Sequence, residues 1–332
     1  EFGKAAINHG ADAVYIGAPQ FGARKQASNP ISEIEKLIKY AHLFKTKVYV
    51  AFNTLLYDDE LSLAEKIIHQ IYNAGADALI IQDTGILEMA IPPIEIHSST
   101  QMHNLDVEKI VFLEKIGIKR AILARELSIA EIKKIRASTS KIELESFVHG
   151  AICVSYSGQC YISHTLSGRS GNRGECAQIC RTAFSLKDNS GKYLIKNKHL
   201  LSLKDLNVSN SIEELVAAGI ESFKIEGRLK DISYVKNITA HYRKIIDKVL
   251  ASKHGSKKSS GIFNIPFIPD VESSFSRQFT NYFIDGKRKP MDSFSTPKAM
   301  GKEVGKVIKI SNTLIEIAGN VPLNNNDGLC YI

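Results

Sequence analysis

Several features are missing from this 332-residue chain, and each absence argues against a class of protein. No apolar run approaches the ~20 residues that a membrane span requires, and no secretory signal is visible. The chain also lacks the H-E-x-x-H helix of zinc proteases and the G-x-S-x-G turn of serine hydrolases. We therefore expect a cytoplasmic protein without a membrane segment. The first residue is not Met, and both ends fall inside apparent secondary structure, so we expect a fragment of a longer protein.

The composition is that of an ordinary globular protein with a basic surface. Hydrophobic residues make up 44% of the chain and charged residues 23%, which is enough to build a sizeable core. Lys and Arg number 43 against 35 Asp and Glu, a net charge of +8. This balance suits a polyanionic partner, of which RNA is the obvious one, although many soluble proteins are mildly basic.

Residues 1–250 repeat one unit, an amphipathic helix followed by a glycine and a short apolar strand. The clearest copies span 8–17, 73–83, 114–126 and 217–227. In each copy a glycine stands where a helix needs a left-handed C-terminal residue: Gly10, Gly75, Gly117 and Gly219. Further apolar runs at 47–53, 94–100 and 142–150, with a weaker one at 199–205, give eight strand candidates. This alternation predicts an α/β fold with a TIM-like (β/α)8 barrel.

The pattern changes after the helix predicted at 234–250. The segment 252–261 is short, polar and rich in Ser and Lys, which is typical of a linker. After it come short alternating runs with Gly, Pro and Asn turns. We predict a TIM-barrel-like domain over 1–251 with a Cys-rich loop at 150–181, a linker over 252–261, and a small, truncated, barrel-like β domain over 262–332.

Polar residues end most of the predicted strands. In a (β/α)8 barrel the functional groups lie at the C-terminal ends of the strands, so these residues are candidates for a pocket. Helix N-caps and loop solubility would account for some of them. The candidates are Arg24, Asn53, Gln101, Arg125, Glu145, His149, Lys224, Glu226 and Arg228.

Four of the five cysteines lie in one loop. Their spacing is C-x6-C-x15-C-x3-C, at Cys153, Cys160, Cys176 and Cys180. In a chain without a secretion signal this clustering favours reduced thiols bound to a metal over disulfides. Thiolates suit both zinc and an iron–sulfur cluster, and a zinc staple that only holds the loop shut is the structural alternative. Cys330 stands apart in a strand-like run and is interpreted as packing.

The same loop carries arginines among glycines. Arg169, Arg173 and Arg181 suit the binding of a phosphate or a carboxylate, but they also fit a solvated basic loop. His149 is either an acid–base group or a hydrogen-bonded bystander. His149 and Cys153 would fit the nucleophile pair of a cysteine protease, although four clustered cysteines argue for ligation instead.

Longer motifs resemble one known family. The run ESFVHGAICVSYSGQCYIS resembles the signature of the collagenase-like U-32 peptidase family. Other landmarks occur in family order: GADAVYIG, QDTG, HSSTQMHN, LARELS, RGECAQICR, LSLKDL and FKIEGRLK. Family members usually begin with one more strand, of the form L-L-A-P-A-G. This chain lacks that strand, so we expect the first barrel strand to be missing.

The resemblance implies competing functions. One is a collagenase-like protease acting on peptides. The other is hydroxylation, either of a pyrimidine in transfer or ribosomal RNA or in the ubiquinone pathway, where relatives carry a [4Fe–4S] cluster on cysteines of this region. The RNA branch is also linked to prephenate and to the iron–sulfur assembly machinery.

Four thiolates, a basic surface and the lack of a protease constellation favour redox chemistry on an anionic substrate over peptide hydrolysis. Among the functions that the resemblance implies, this favours an enzyme of RNA hydroxylation. We assign a [4Fe–4S] cluster, with zinc as the alternative, to Cys153, Cys160, Cys176 and Cys180. The catalytic candidates are His149, Glu145, Arg125 and Glu226. The substrate-binding candidates are Arg24, Asn53, Gln101, Arg169, Arg173, Lys224 and Arg228. RNA is the expected partner and prephenate a possible co-substrate. Proteolysis and a non-catalytic RNA-binding or assembly scaffold are the alternatives.

Overall fold

A computed structural model describes residues 1–23, 28–227, 229–252, 259–325 and 327–330. Two predicted binding residues, Arg24 and Arg228, lie outside the described residues. So does the stretch 253–258, which makes up most of the predicted linker.

Seven parallel strands form the centre of the molecule. They are β1 (Ala13–Gly17), β2 (Lys47–Phe52), β3 (Ala78–Ile81), β4 (Glu95–Ser98), β5 (Arg120–Ile122), β6 (Glu143–Gly150) and β10 (Ser222–Ile225). Neighbours pair in chain order from β1 to β6, and β10 then pairs with β6. Helices between these strands cover the outside of the sheet. The predicted fold class, a TIM-like α/β barrel, is confirmed.

The outer helices bury one face each. They are α1 (Phe2–Asn8), α2 (Ile31–His42), α3 (Leu61–Asn73), α4 (Val107–Lys115), α5 (Ile129–Ala137), α7 (Ile212–Ala217) and α8 (Ile232–Ser252). In α2 the buried residues are Ile34, Ile38 and Ala41, which recur at the spacing of one helical face. Gly75 follows α3 with a φ of 88°, a left-handed conformation that lets the chain leave the helix and enter β3.

One predicted strand is not part of the barrel. The candidate at 199–205 is replaced by β9 (Asp205–Asn207), which runs antiparallel to the end of β6, with Asn207 opposite His149. The reason is that β5 is shorter than β6. β5 ends at Ile122, opposite Glu145, and this leaves the same edge of β6 open beyond Glu145. β9 pairs with that open edge.

The described sheet is open on one side. No backbone pairing joins β1 to β10 within the described residues, so a seam separates these two strands. In the described part of the chain, no helix is both long and apolar enough to span a membrane.

Residues after 258 contact the barrel before they form separate strands. β11 (Phe279–Thr280) pairs with β9, and Ile129 donates its backbone N–H to Ile284. Further on, β12 (Lys306–Ile310) and β13 (Ile315–Ala318) form an exposed antiparallel pair. Antiparallel structure is thus present in the predicted C-terminal β region, and the domain boundaries stay a prediction.

Candidate active site at the barrel mouth

The cysteine loop follows β6 and is fixed over the C-terminal end of the barrel. It contains one short helix, α6 (Ile162–Ser167). Gly158 packs so tightly that a Cβ there would lie 2.0 Å from the carbonyl oxygen of Gln101, in the turn that follows β4. At the far end of the loop, Arg181 donates to the carbonyls of Leu203 at 2.7 Å and Ile152 at 3.0 Å. These contacts therefore hold both parts of the loop against the end of the barrel.

All four loop cysteines border one cavity of about 220 Å³. They are free thiols, and the remaining wall is mainly apolar, including Val154, Ile162, Ile179 and Leu201. Among the described residues no three Cys, His, Asp or Glu side chains are placed to hold a metal ion. A single tetrahedral zinc draws its sulfurs to about 2.3 Å from one point, whereas a cluster carries its own atoms between the thiolates. Four thiols on one cavity are of the residue type that binds either zinc or an iron–sulfur cluster.

Burial acts on two thiols of this cavity, those of Cys153 and Cys180. It raises the pKa of Cys180, and the neighbouring Arg181 acts in the opposite direction. Cys153 is accessible from the cavity, yet protein surrounds it, so burial raises its pKa as well, opposed in part by Arg125. A metal or cluster that binds here has to displace protons from these thiols.

A larger cavity of about 1590 Å³ runs from the barrel mouth through the interior to the seam between β1 and β10. It brings Cys153, Cys160 and Cys176 together with predicted strand-end residues. Those are Asn53, Gln101, Arg125, Lys224 and Glu226. The thiols and the polar strand ends thus belong to one continuous space.

Two cations lie close to the same aromatic ring in this cavity. The Arg125 guanidinium lies 3.7 Å from the centre of the Phe147 ring, and the Lys224 ammonium lies 5.2 Å from it. Lys224 is also 3.7 Å from the centre of the Tyr15 ring. Positive charge is therefore held on apolar surface, where it attracts an anionic group more strongly than in water.

Glu145 lies below these cations and is completely buried. It accepts hydrogen bonds from Tyr15, from Ser222 at 2.9 Å and from Arg120 at 3.3 Å. Lys224 lies 3.6 Å from its second oxygen. Burial alone would raise the pKa of Glu145, but Lys224 and Arg120 outweigh it and hold this pKa below its ordinary value. Burial, reinforced by the negative charge of Glu145, raises the pKa of Tyr15 well above its usual range.

Two amides at the mouth differ in what they offer to a ligand. Asn53 is already engaged, because its Oδ1 accepts from Ala23 and its Nδ2 donates to Ser99, both at 2.9 Å. The side-chain amide of Gln101 makes no hydrogen bond to another described residue, although its backbone is bonded. Gln101 is therefore the amide that remains available to a substrate.

Three predicted site residues lie away from this cavity. His149 is buried between the sheet and α8. It packs against Tyr242, and its Nδ1 lies 3.3 Å from the Tyr242 hydroxyl. Arg169 is exposed on the loop. Arg173 is paired with Glu60 at 2.5 Å, and its guanidinium lies 4.1 Å from the centre of the Tyr57 ring. Their assignment as catalytic or binding residues stays a prediction.

Sequence reasoning missed two of the residues that enclose Glu145, Tyr15 and Arg120. Tyr15 lies inside β1 and Arg120 opens β5, whereas the predicted site residues stand towards strand ends. A charged residue at the start of an otherwise apolar strand was the available signal, because such a charge needs a buried partner.

The fold and this site define a class of protein: a TIM-like barrel that carries a four-thiol site over its mouth. The chain belongs to peptidase family U32, whose family model matches residues 1–293.

Three relatives show what the chain is similar to. It is 48% identical over 325 residues to the 23S rRNA 5-hydroxycytidine C2501 synthase of Escherichia coli strain K12, which covers 98% of this chain and 50% of that protein. It is 40% identical to the uncharacterized protease MJ0090 of Methanocaldococcus jannaschii, over 76% of this chain and 64% of that protein. It is 35% identical to the tRNA hydroxylation protein P1 of Bacillus subtilis strain 168, over 85% of this chain and 68% of that protein. The chain thus spans about half the length of the first of these relatives.

Proposed function

We propose that this chain is the barrel of an enzyme that hydroxylates a pyrimidine of RNA, most specifically of ribosomal RNA. The observation that carries the proposal is the joining of two features: a four-thiol cavity and a polar, cationic barrel mouth share residues Cys153, Cys160 and Cys176. The 48% identity to a ribosomal RNA hydroxycytidine synthase supports the choice of reaction and substrate.

Cys153, Cys160, Cys176 and Cys180 fit an iron–sulfur cluster. Four free thiols on one cavity with mainly apolar walls are the features that support this fit. Hydroxylation of a pyrimidine carbon is a two-electron oxidation that needs an external oxidant, and a cluster held by these cysteines would supply electron transfer.

The protein's own residues hold the substrate. Arg125 and Lys224 attract a phosphate, or the carboxylates of a small co-substrate such as prephenate. The amide of Gln101 offers both a donor and an acceptor to the edge of a base. Glu145 stays ionised beneath them and keeps Lys224 in place.

Nucleoside mass spectrometry tests the proposal. Deleting the gene should remove one hydroxylated pyrimidine from ribosomal RNA, and the wild-type gene should restore it. The Cys160→Ser variant should fail to restore it, whereas Cys330→Ser, which changes a cysteine outside the loop, should succeed. An unchanged nucleoside profile after deletion would refute the proposed reaction.

Proteolysis is the second candidate, because one relative is named a protease. The purified protein should leave gelatin intact. Cleavage that disappears in a Cys153→Ala variant would replace our proposal with a peptidase.

A further inference from the structure

A small hairpin projects beside the cysteine cavity. Strands β7 (Phe184–Lys187) and β8 (Tyr193–Lys198) form a separate antiparallel pair, with Lys187 opposite Tyr193. Nearly all its residues are exposed, including Leu186 at 46% and Leu194 at 59%. A two-stranded hairpin with so little buried surface contributes little to the core. Its exposed apolar side chains are typical of a surface that contacts a partner.

The hairpin carries a concentrated positive charge. It has four lysines, Lys187, Lys192, Lys196 and Lys198, against one acidic residue, Asp188. Asp188 shapes the turn: its Oδ1 accepts from the backbone N–H groups of Ser190 at 2.9 Å and Lys192 at 3.0 Å. In the part of the chain that the structure describes, none of the four ammonium groups forms an ion pair with a carboxylate. The charge is therefore available to an anionic partner.

An aromatic ring lies among these lysines. Tyr193 is 46% exposed, and the ammonium groups of Lys187 and Lys196 lie 4.4 Å and 4.7 Å from the centre of its ring. Cations that flank an exposed aromatic ring suit single-stranded nucleic acid, whose bases stack and whose phosphates pair. An acidic peptide would use the lysines but would have no general use for the ring.

The hairpin is tied to the cysteine loop at its base. Arg181, which follows Cys180, donates to the Ser202 hydroxyl at 2.8 Å. It also donates to the backbone carbonyls of Ile152 and Leu203. On the other side, His199 Nδ1 lies 3.0 Å from the carbonyl oxygen of Arg181. These contacts join the two ends of the hairpin and fix it next to the last cysteine of the site.

We propose that the β7–β8 hairpin is an RNA-docking arm. Its lysines pair with the phosphates of a single-stranded RNA segment, and Tyr193 stacks on one of its bases. The choice of RNA as the partner rests on the proposed function, and the position of the arm extends it. RNA held by the arm continues towards the barrel mouth, because the arm is anchored to the loop that covers that mouth.

Fluorescence anisotropy with a labelled single-stranded 20-nucleotide RNA tests the arm in the full-length protein. Changing the four hairpin lysines to Gln should raise Kd at least tenfold at 0.1 M salt. The logarithm of the association constant decreases linearly with the logarithm of the salt concentration. The magnitude of this slope should decrease by about 3 in the lysine variant, because each phosphate contact on a single strand contributes roughly 0.7. Tyr193→Ala should weaken binding on the order of tenfold with the slope unchanged.

Matched controls separate the arm from the overall charge. Gln at Lys115, Lys133, Lys134 and Lys141 removes the same charge from exposed positions on α4, α5 and the turn before β6. These changes should leave Kd within about twofold. Tyr72→Ala on α3 is the control for Tyr193. Circular dichroism and the thermal midpoint establish that each variant is folded.

Three results would contradict the docking arm, each in a different way. Equal losses in the hairpin and control lysine variants would overturn the docking arm. Wild-type RNA affinity in a hairpin variant that instead loses binding to phosphatidylglycerol vesicles would assign the arm to an anionic membrane surface and overturn our proposal. If the hairpin variant binds normally while the gene deletion still removes a hydroxylated nucleoside, the arm fails and the proposed function stands.

Discussion

At the residue scale, Glu145 balances two buried cations. Arg120 and Lys224 both lie within 3.6 Å of its carboxylate, and all three side chains are largely removed from solvent. Arg120 has a second partner in Glu143, at 2.5 Å, but Lys224 depends mainly on Glu145. The carboxylate therefore controls both the stability of the barrel interior and the position of a cation in the proposed site.

Glu145→Gln leaves these cations without their shared counterion. Loss of one partner of a buried ion pair costs about 3–5 kcal/mol, so the free energy of unfolding should fall by about that amount. Urea denaturation measures it. Glu33→Gln, which breaks an exposed pair with Lys36, should cause little change. Equal effects of the two substitutions would contradict the role assigned to Glu145.

His149 gives the fold a dependence on acid. Burial, followed by the positive charges of His241 and Lys230, lowers the pKa of His149 to about 3. In the unfolded chain the pKa returns to about 6.5, so between pH 6.5 and pH 3 only the unfolded state takes up this proton. Stability is therefore lost as the pH falls through this range.

The His149→Gln variant removes this proton uptake. Between pH 7.5 and pH 5 the wild-type protein should lose about 2 kcal/mol more stability than the variant. Urea titrations of both proteins at several pH values measure the difference, whatever their relative stability at pH 7.5. Parallel curves for the two proteins would show that His149 is not buried in its neutral form.

At the element scale, the cysteine loop depends on a close approach at Gly158. This residue has a φ of 72° and sits against the backbone of Gln101. Gly168, in the same loop, has a φ of 68° but no atom within 4 Å of the position of a Cβ. The two glycines therefore have the same backbone strain and differ only in the contact.

Gly168→Ala should cost about 1–2 kcal/mol, the usual penalty of a left-handed Ala. Gly158→Ala adds an overlap with the carbonyl oxygen of Gln101, so it should cost at least about 2 kcal/mol more and lift the loop off β4. Chemical denaturation and the rate of thiol labelling measure the two effects. If the thiols of Gly158→Ala are labelled no faster than those of Gly168→Ala, the contact of Gly158 with Gln101 does not hold the loop in place.

Elements could be predicted where their signals are local. The strands β1, β3, β5 and β10 follow helices and glycines whose pattern is complete within about ten residues. β9 could not be placed, because its position depends on the free edge of β6, which only the assembled sheet reveals. For the same reason the contacts of Arg120 with Glu145 were missed: they join strands that are adjacent only in the fold.

The candidate site was partly predictable at this scale as well. The clustering of four cysteines in one loop was visible in the sequence, and the structure places all four on one cavity. The separation of His149 and Arg173 from that cavity was not visible, because side-chain direction on β6 and ion pairing with Glu60 depend on neighbouring elements.

At the scale of the whole molecule, we propose that four cysteines hold one iron–sulfur cluster at the mouth of a barrel that receives RNA. The cavity of about 220 Å³ shares three cysteines with the larger cavity of the barrel, so a group bound there is next to a substrate held by Arg125 and Lys224. The basic hairpin lies at the same end of the molecule.

Iron and acid-labile sulfide measured on anaerobically purified protein test this claim most directly. We expect about four iron atoms and four sulfides per chain. We also expect a visible absorption that is lost when any of the four loop cysteines is changed to Ser and kept in Cys330→Ser. One zinc per chain with no iron, or an unchanged iron content in Cys153→Ser and Cys180→Ser, would contradict it.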